Sequence, residues 1–447
     1  MMNCKRLPSK LSDMNLIKWK HNTAVDLDGR QQFVCEERDQ PLLMGHEVRP
    51  DILALLDIKQ EFRKPLADAM GSIVADVLIG HRESRATSFS LNRNAYTTLR
   101  RYHPLMTYAN VRQGVMHLEG AGLLKVERGK NWRDGGKGKQ SRIKATDDLI
   151  NRVGEQPAVS RRAGAEVLIM KDANKQIVGY AETERTIATR KDIWDQNEVL
   201  ASAEIRLEVE DVNWTEAGLV IVPGLLDANG NQKRSVFIRP DHLELRRIAN
   251  NGNWGEGMRW YGHFAQNLPK ERRRQLTIGR MPVELIDFGA SHPNLLYAQA
   301  GKILDGDAYD VPGFERDEIK LALLILINAG SRKEAVGAMA FRLADGETPE
   351  SQTVTVRQDH WKHARRLLDA VRVRHEPITG SFCTGCGTRL QALEAGILST
   401  VMRAARKRGI ITVPVHDEIV VAAPEADLVR DLMVEKWVSA CGAFPLL

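Results

Sequence analysis

The fold is decided by the stretch Val413-Pro414-Val415-His416-Asp417-Glu418-Ile419-Val420-Val421, in which apolar residues stand on both sides of a His-Asp-Glu triplet. This pattern predicts two short, largely buried strands joined by a tight turn. A carboxylate at such a turn costs free energy unless a cation or hydrogen-bond donors meet it. The stretch therefore indicates either a solvated polar tip or a cation-binding site, and the rest of the chain must distinguish the two.

Length and composition indicate a globular protein with several cores. The 447 residues are enough for two or three domains, and 43% apolar with 27% charged residues is ordinary for soluble proteins. No apolar run approaches the ~20 residues of a membrane span, and no signal peptide is evident. Five cysteines, an odd number, do not suggest a disulfide framework. We expect a reduced, cytoplasmic protein that does not enter a membrane.

Positive charge is concentrated in the N-terminal half. Residues 92–144 contain twelve Lys or Arg against three acids, a local net charge of +9. Such a concentration is the usual footprint of a polyanion partner, most often nucleic acid, although lysine-rich solubilising loops give similar counts.

The order of elements around this charge carries a resemblance. Apolar residues at helical spacing over 51–81 predict one or two helices, and a further helix over 107–124 is followed by strands near 123–127 and 142–145. A Gly- and Lys-rich turn separates the two strands. This series resembles a winged helix-turn-helix, which implies that the last helix enters the major groove and that the wing contacts phosphate. The implied DNA-binding residues are Asn110 and Arg112 on the helix and Lys130, Arg133, Lys137 and Lys139 on the wing. A winged helix that binds protein or only packs the chain is the alternative.

Four segments of the C-terminal half occur in a recognisable order. They are Gly257–Gly262 with Gln266–Pro269, the apolar run Val283–Asp287, the helical Arg316–Lys320, and Leu390–Ala395 ahead of the opening hairpin. The series resembles family A DNA polymerases and the related single-subunit phage-type RNA polymerases. In those families an Arg-bearing stretch, a strand-borne Asp, a helix with Arg-x3-Lys, a helix with Gln, and a His-Asp hairpin follow one another.

The resemblance implies a two-metal site. Nucleotidyl transfer uses two divalent cations about 3.5–4 Å apart, and carboxylates suit Mg²⁺, with Mn²⁺ as a possible substitute. Asp287 and Asp417, 130 residues apart, are the implied metal ligands, with Glu418 as a weaker third carboxylate. A sheet would have to bring the two aspartates together.

The same resemblance assigns the remaining site residues. Arg316 and Lys320 would share a helix face and hold the triphosphate, although without the other motifs a solvated helix turn is the favoured explanation. His416 would support the primer end or brace the hairpin. Arg259 and Gln391 would contact the primer–template minor groove, with a surface Arg and a plain buried Gln as the alternative.

Three positions around the expected nucleotide depart from the family. His292 stands five residues after Asp287, where DNA polymerases of this family have a Glu that helps exclude a ribose 2′-hydroxyl. Leu324 and Asn328 stand four and eight residues after Lys320, where the family has aromatic residues. These departures put the choice between deoxy- and ribonucleotides in doubt.

We therefore expect an α+β protein in which a winged-helix domain precedes a right-hand polymerase with an antiparallel palm and helical fingers. The expected regions are an N-terminal arm (1–50), a winged helix (51–150), a β-rich connecting or thumb-like region (151–242), and palm and fingers (243–447, fingers about 311–384). The expected function is template-directed nucleotidyl transfer from nucleoside triphosphates on a DNA primer–template or single-stranded template, in replication of a phage, plasmid or mobile element. The alternatives are an RNA polymerase or primase, and a DNA-binding replication initiator or regulator with an inactive polymerase-like half.

Overall fold

The protein is described by a computed structural model. It describes residues 18–20, 23–25, 31–33, 39–56, 62–82, 85–99, 102–129, 140–154, 159–162, 165–175, 177–210, 213–214, 220–222, 236–238, 243–347 and 355–442. These residues fall into two compact units. The first lies within Met1–Met170, Gln176–Arg190 and Val209–Asp241, and the second within Lys171–Lys175, Lys191–Glu208 and His242–Leu447.

The first unit begins with small sheets and helices. Its elements up to residue 161 are β1 (Lys18–Lys20), β2 (Thr23–Val25), β3 (Gln31–Phe33), β4 (Gln40–Pro41), β5 (His46–Val48), α1 (Pro50–Leu55), α2 (Lys64–Arg82), β6 (Thr87–Phe89), α3 (Ala95–Leu99), α4 (Tyr108–Gly120), β7 (Leu124–Glu127), β8 (Ser141–Ala145), α5 (Asp147–Val153) and β9 (Val159–Arg161). One sheet has the order β4-β6-β8-β7, and β7 and β8 form an antiparallel pair. Of the one or two helices expected over 51–81 the structure has two, α1 and α2, and the helix after Thr107 and the two strands are also present.

Helices α2 and α4 form the centre of this unit. Buried apolar residues line α2 at helical spacing, including Met70, Ile73 and Val77, and α4 presents Val111, Val115 and Leu118 to the same core. Thr107 begins α4 by accepting a hydrogen bond from the Asn110 backbone N–H at 3.2 Å, which satisfies one of the free donors at a helix start.

Within the range expected to be an arm, the described residues 39–49 contribute Leu42, Met44 and Val48 to the same core. Met44 is fully buried, and the Asp76 carboxylate of α2 accepts hydrogen bonds from the backbone N–H groups of Leu43 and Met44 at 2.9 and 2.7 Å. The buried carboxylate thereby ties the early segment to α2, because an unpaired charge there would be costly.

The region expected to be β-rich contains a long helix. Its elements are β10 (Leu168–Lys171), β11 (Ile177–Val178), α6 (Glu184–Ser202), β12 (Ile205–Leu207), β13 (Asn213–Trp214), β14 (Val220–Val222) and β15 (Val236–Ile238). The buried positions of α6 in the second unit include Ile193 and Leu200, but also Gln196 and Asn197. Polar residues within the buried stripe hide its helical hydropathy pattern, which is why the sequence did not reveal α6.

The second unit contains the remaining elements. They are β16 (Arg246–Asn250), β17 (Asn253–Tyr261), α7 (Lys270–Arg273), β18 (Leu276–Ile278), β19 (Met281–Asp287), α8 (Ser291–Gln299), α9 (Arg316–Asn328), α10 (Arg332–Glu347), α11 (Gln358–Arg374), α12 (Gly387–Arg406), β20 (Thr412–Val415), β21 (Glu418–Ala422) and α13 (Ala426–Cys441). Between residues 311 and 384 the described regular structure is helical, as expected for that range.

A five-stranded sheet forms the framework of this unit. Its order is β12-β18-β19-β21-β20, and every neighbouring pair is antiparallel. The side chains of Val413, Ile419 and Val420 have no exposed surface, so the opening hairpin is buried as its apolar flanks predicted. Together the described helices and antiparallel strands are consistent with the expected α+β class.

The close approach of α2 and α4 generates a stability prediction. A Cβ at Gly114 would lie 2.9 Å from the Ile73 Cδ1 and 3.3 Å from the Met70 Cγ, whereas nothing lies within 4 Å of one at Gly120. We expect Gly114→Val to lower the free energy of opening of α4 by about 1–3 kcal/mol through overpacking. Gly120→Val should change it by no more than about 0.5 kcal/mol. Hydrogen exchange of α2 and α4 amides measures both, and equal effects of the two substitutions would contradict the packing account.

Candidate active site

The backbones of Asp287 and Asp417, which are remote in sequence, are adjacent at one end of the central sheet. Strand β19 ends at Asp287, which is the Cα partner of Glu418, the first residue of β21. The backbone N–H of Phe288 donates to the Asp417 carbonyl oxygen at 3.4 Å. Antiparallel pairing therefore joins the end of β19 to the hairpin turn, and the structure brings Asp287 and Asp417 together.

The turn that carries Asp417 is tight. Val415 pairs directly with Glu418, so only His416 and Asp417 form the loop. His416 has a φ of 60°, and a positive φ at the first loop residue is a feature of type II′ hairpin turns. Its ring lies edge-on to Tyr261, with ring centroids 6.4 Å apart. Loss of water around the ring, followed by the charge of Arg259, lowers the pKa of His416, which favours the neutral imidazole.

Asp417 is a carboxylate without a cationic side-chain partner among the described residues. The protein around it displaces water, and this desolvation, together with the negative charges of Glu394 and Asp287, raises its pKa although part of its surface stays accessible. Its nearest side-chain donor is the Ser291 hydroxyl, which lies 3.3 Å from Oδ2. Within the described part of the chain no Lys or Arg lies at ion-pair distance from it. This carboxylate therefore favours a positively charged ligand.

The fully buried carboxylate of Glu394 on α12 lies beside Asp417 and gathers Arg259, Ser291 and His292 around it. The side chain of Glu394 has no exposed surface, and the Arg259 guanidinium holds it through contacts of 2.8–3.0 Å. The Ser291 hydroxyl lies 3.1 Å from Oε2, so its one hydrogen is shared between Glu394 and Asp417, and the His292 Nε2 lies 3.2 Å from the same Glu394 oxygen. Burial alone would raise the pKa of Glu394, but His292 and Arg259 outweigh burial and lower it. Glu394 therefore stays charged and fixes Arg259.

Two cations on α7 meet the carboxylates of the paired strands. The Lys270 Nζ lies 2.9 Å from the Asp287 Oδ2 and 3.6 Å from the Glu418 Oε2. Arg273 forms an ion pair with Glu418 at 2.9 Å. The hydrogen bond with Asp287 is the main cause that raises the pKa of Lys270. Glu418 is buried and already neutralised by Arg273, so its expected role as a metal ligand remains a prediction.

A tyrosine links the helical segment to this site. Helix α9 carries both expected triphosphate cations, and the Tyr309 ring lies 4.8 Å from the Arg316 Cζ and 5.9 Å from the Lys320 Nζ. Burial and, to a smaller extent, the charge of Asp417 raise the pKa of Tyr309. Tyr309 therefore contacts both cations through its ring and is close enough to Asp417 for that charge to affect its pKa. Arg316 also pairs with Asp307 at 2.9 Å, which partly neutralises it.

The other expected contacts to nucleotide and template occupy separate environments. His292 is buried against Glu394, Leu324 is exposed on α9, and the Asn328 amide donates to the Leu324 carbonyl at 2.8 Å. Gln391 is partly buried on α12, one turn before Glu394. Leu324 and Asn328, which stand where the family has aromatic residues, thus lie on an exposed face of α9.

Of the expected DNA-binding residues in the first unit, two lie within the described residues. Arg112 is exposed on α4, whereas the Asn110 side-chain amide donates to the Leu105 carbonyl at 3.0 Å and supports the start of the helix. Lys130, Arg133, Lys137 and Lys139 lie outside the described residues.

The metal-binding capacity of the site rests on two carboxylates. Among the described residues no group of three or more His, Cys, Asp or Glu is arranged to hold a metal ion. Two nearby carboxylates are already paired within the chain, Glu418 with Arg273 and Glu394 with Arg259. Asp287 and Asp417 remain, and Mg²⁺ in nucleotide enzymes is commonly held by one or two carboxylates with waters and substrate phosphates. The donor set therefore fits such an ion.

Sequence reasoning missed several residues of this site. Lys270 directly follows the Gln266–Pro269 segment, and Glu394 lies three residues after Gln391, so both stood beside recognised motifs. Tyr309 and Ser291 carried no pattern signal, because their importance arises only from packing. A charged residue at a buried helix position was the one usable signal for Glu394.

Comparison with protein-family models and with curated proteins returned no match. No helix among the described residues combines the length and the apolar character required to cross a membrane.

The buried pair of Arg259 and Glu394 generates the second prediction. We expect Arg259→Met to lower the free energy of unfolding by about 3–5 kcal/mol, because it leaves a buried charge without its main partner. Adding Glu394→Gln to that variant should restore part of the loss, since the uncompensated charge is then gone. Urea denaturation followed by tryptophan fluorescence measures each variant. A double variant no more stable than Arg259→Met would contradict this account.

Proposed function

We propose that the protein is a template-directed nucleotidyltransferase that adds nucleotides to a 3′-hydroxyl. The observation that carries the proposal is that Asp287 at the end of β19 and Asp417 in the β20–β21 turn, 130 residues apart in sequence, have adjacent backbones at one end of an antiparallel sheet. Asp417 has no cationic partner within the described residues, and Asp287 is bound through one oxygen by Lys270. Paired carboxylates of this kind are the protein's usual contribution to phosphoryl transfer assisted by metal ions.

We further propose that the second unit is a polymerase-like right hand. The central sheet would be the palm, with α9, α10 and α11 as helical fingers. The order of the supporting elements is that of the resemblance: β17 with Arg259, β19 with Asp287, α9 with Arg316 and Lys320, α12 with Gln391, and the β20–β21 hairpin with Asp417.

In this proposal Asp287 and Asp417 hold Mg²⁺, or Mn²⁺ in its place. When bound, the metal supplies the charge that activates the 3′-hydroxyl and neutralises the triphosphate. The chain's own cations do the rest: Arg316 and Lys320 project from the first turns of α9, where the helix dipole also favours an anion, and bind the triphosphate. Tyr309 holds both cations in place through its ring. His416 braces the hairpin turn or the primer end.

Arg259 takes a supporting role in this mechanism. Its guanidinium is engaged by Glu394, so it fixes Glu394 beside Asp417 as well as facing any bound primer–template. The surroundings of the sugar are set by His292, which is itself drawn toward Glu394. Position 292 therefore carries no carboxylate that could reject a ribose 2′-hydroxyl. We propose that the protein accepts both deoxy- and ribonucleoside triphosphates.

We propose that the first unit binds duplex DNA as a winged helix. Its described elements run α2, β6, α3, α4, β7 and β8, with β6 and β7 on either side of β8. Helix α4 presents Arg112 on its exposed side, and Lys125 and Arg128 follow on and after β7. Cations on an exposed helix and an adjacent strand pair suit the DNA backbone, which contributes most of non-specific affinity.

The catalytic proposal predicts loss of nucleotide incorporation on removing either aspartate. We expect Asp287→Ala and Asp417→Ala each to reduce primer extension by about a thousandfold or more, because each removes a metal ligand. Asp431→Asn, which changes an exposed carboxylate on α13, is the matched control and should leave incorporation unchanged. The assay uses purified protein, primed template and Mg²⁺, with deoxy- and ribonucleotides offered separately.

The same assay separates the proposed enzyme from its rival, a DNA-binding initiator or regulator with an inactive polymerase-like half. Tight duplex binding without incorporation of either nucleotide type would favour the rival. Incorporation that survives both Asp287→Ala and Asp417→Ala would show that any activity resides elsewhere.

The DNA-binding proposal predicts a specific loss at α4. We expect Arg112→Ala to weaken duplex binding about three- to tenfold and to reduce the slope of log affinity against log salt by about one. Arg152→Ala, which removes an arginine from α5 in the same unit, is the charge-matched control. Fluorescence anisotropy with labelled duplex measures both. An equal loss for both variants would point to a general charge effect and against a defined role for α4.

A further inference from the structure

Lys270 occupies an unexpected position in the site. It is the first residue of α7, a short helix that follows Pro269, and its Nζ lies 2.9 Å from the Asp287 Oδ2 and 3.6 Å from the Glu418 Oε2. The ammonium therefore stands between carboxylates from two paired strands. One of these carboxylates is an expected metal ligand.

The two carboxylates do not depend on Lys270 equally. Glu418 is buried and has Arg273 at 2.9 Å, so its charge is neutralised without the lysine. Asp287 has no second cation at ion-pair distance within the described part of the chain. The main partner of Lys270 is therefore Asp287, and the contact with Glu418 positions the ammonium.

The pair of Lys270 and Asp287 can open easily. Their side chains are 44% and 45% exposed, so water screens the pair and replaces its contacts when it breaks. Exposed ion pairs of this kind contribute little to stability. The lysine side chain also has a flexible four-carbon stem, which allows its ammonium to leave while the backbone of α7 stays in place.

An ammonium and a divalent cation that bind the same carboxylate repel each other. Both would lie within a few ångströms of the Asp287 oxygens, where repulsion between like charges is strong. Without a metal, however, Asp287 and Asp417 would repel one another, and Lys270 relieves that repulsion. The lysine ammonium would thus neutralise Asp287 when the metal is absent, and the metal would neutralise it when bound.

We propose that Lys270 is a built-in counter-ion that holds Asp287 while the site is free of metal and is displaced when a divalent cation binds. It is a positioning residue, and it sets the metal concentration at which the site fills. This inference rests on the proposed function in one respect, because it takes Asp287 and Asp417 as the metal ligands.

Binding of Mn²⁺ to the full-length chain tests the inference without reference to activity. Electron paramagnetic resonance counts free Mn²⁺ and gives the dissociation constant for the wild type, Lys270→Met and Lys270→Arg. Methionine keeps the length of the side chain without its charge. Lys302→Met, at an exposed lysine of the same unit, is the control. Circular dichroism checks that each variant is folded.

We expect Lys270→Met to lower the dissociation constant for Mn²⁺ about tenfold, within the usual range of coupling between two competing ligands. Lys270→Arg and Lys302→Met should stay within about threefold of the wild type, because both keep the charge at the site. Asp417→Asn should weaken Mn²⁺ binding in the wild-type and the Lys270→Met backgrounds alike. Binding seen only in Lys270→Met would also support the proposal.

Two other outcomes would overturn it, and they have different meanings. If Asp417→Asn abolishes Mn²⁺ binding but Lys270→Met leaves the affinity unchanged or weaker, the lysine is not a competitor, and the metal site stands. If Asp417→Asn leaves Mn²⁺ binding unchanged in the wild-type and the Lys270→Met backgrounds, the inference fails together with the metal ligands of the proposed function. Primer extension by the wild type then decides separately whether incorporation occurs.

Discussion

The antiparallel pairing of β19 with β21 is the constraint on which the rest of the site depends. Its register sets Asp287 opposite Glu418 and so places Asp287 next to the turn residue Asp417. A slip by one residue would turn each side chain of β21 to the opposite face of the sheet. The valines and the isoleucine of the hairpin are buried on both faces of the sheet, so a slip would force each of them to repack against the opposite face. Apolar packing thus fixes the position of charged groups.

Charge neutralisation around this pairing is selective. Glu394 is matched by Arg259, and Glu418 is matched by Arg273, so the most buried carboxylates of the site are neutralised by the chain itself. Such pairing is required, since an unpaired buried charge costs several kcal/mol. Asp417 and Asp287 are treated differently: one has only a hydroxyl, and the other has a half-exposed lysine. The two carboxylates with the weakest internal partners are those best suited to an external cation.

Much of this arrangement could be predicted from the sequence, for identifiable reasons. The hairpin, β19, α9 and α12 have continuous apolar runs or helical periodicity, and these patterns directly reflect burial. Helix α6 could not be found in that way, because Gln196 and Asn197 occupy its buried stripe and are satisfied by backbone groups of Thr412 and Leu245. Lys270, Ser291 and Tyr309 could not be assigned either, because their partners are remote in sequence and only the folded chain brings them together.

The central claim is that Asp287 and Asp417 hold divalent metal together. Its most direct test is anomalous diffraction from crystals of the protein with primed template, a non-hydrolysable nucleoside triphosphate and Mn²⁺. This account predicts an anomalous peak within bonding distance of carboxylate oxygens from both aspartates, with the Lys270 ammonium moved away from Asp287. Peaks elsewhere with Lys270 still bound to Asp287, while template and nucleotide are present, would contradict it.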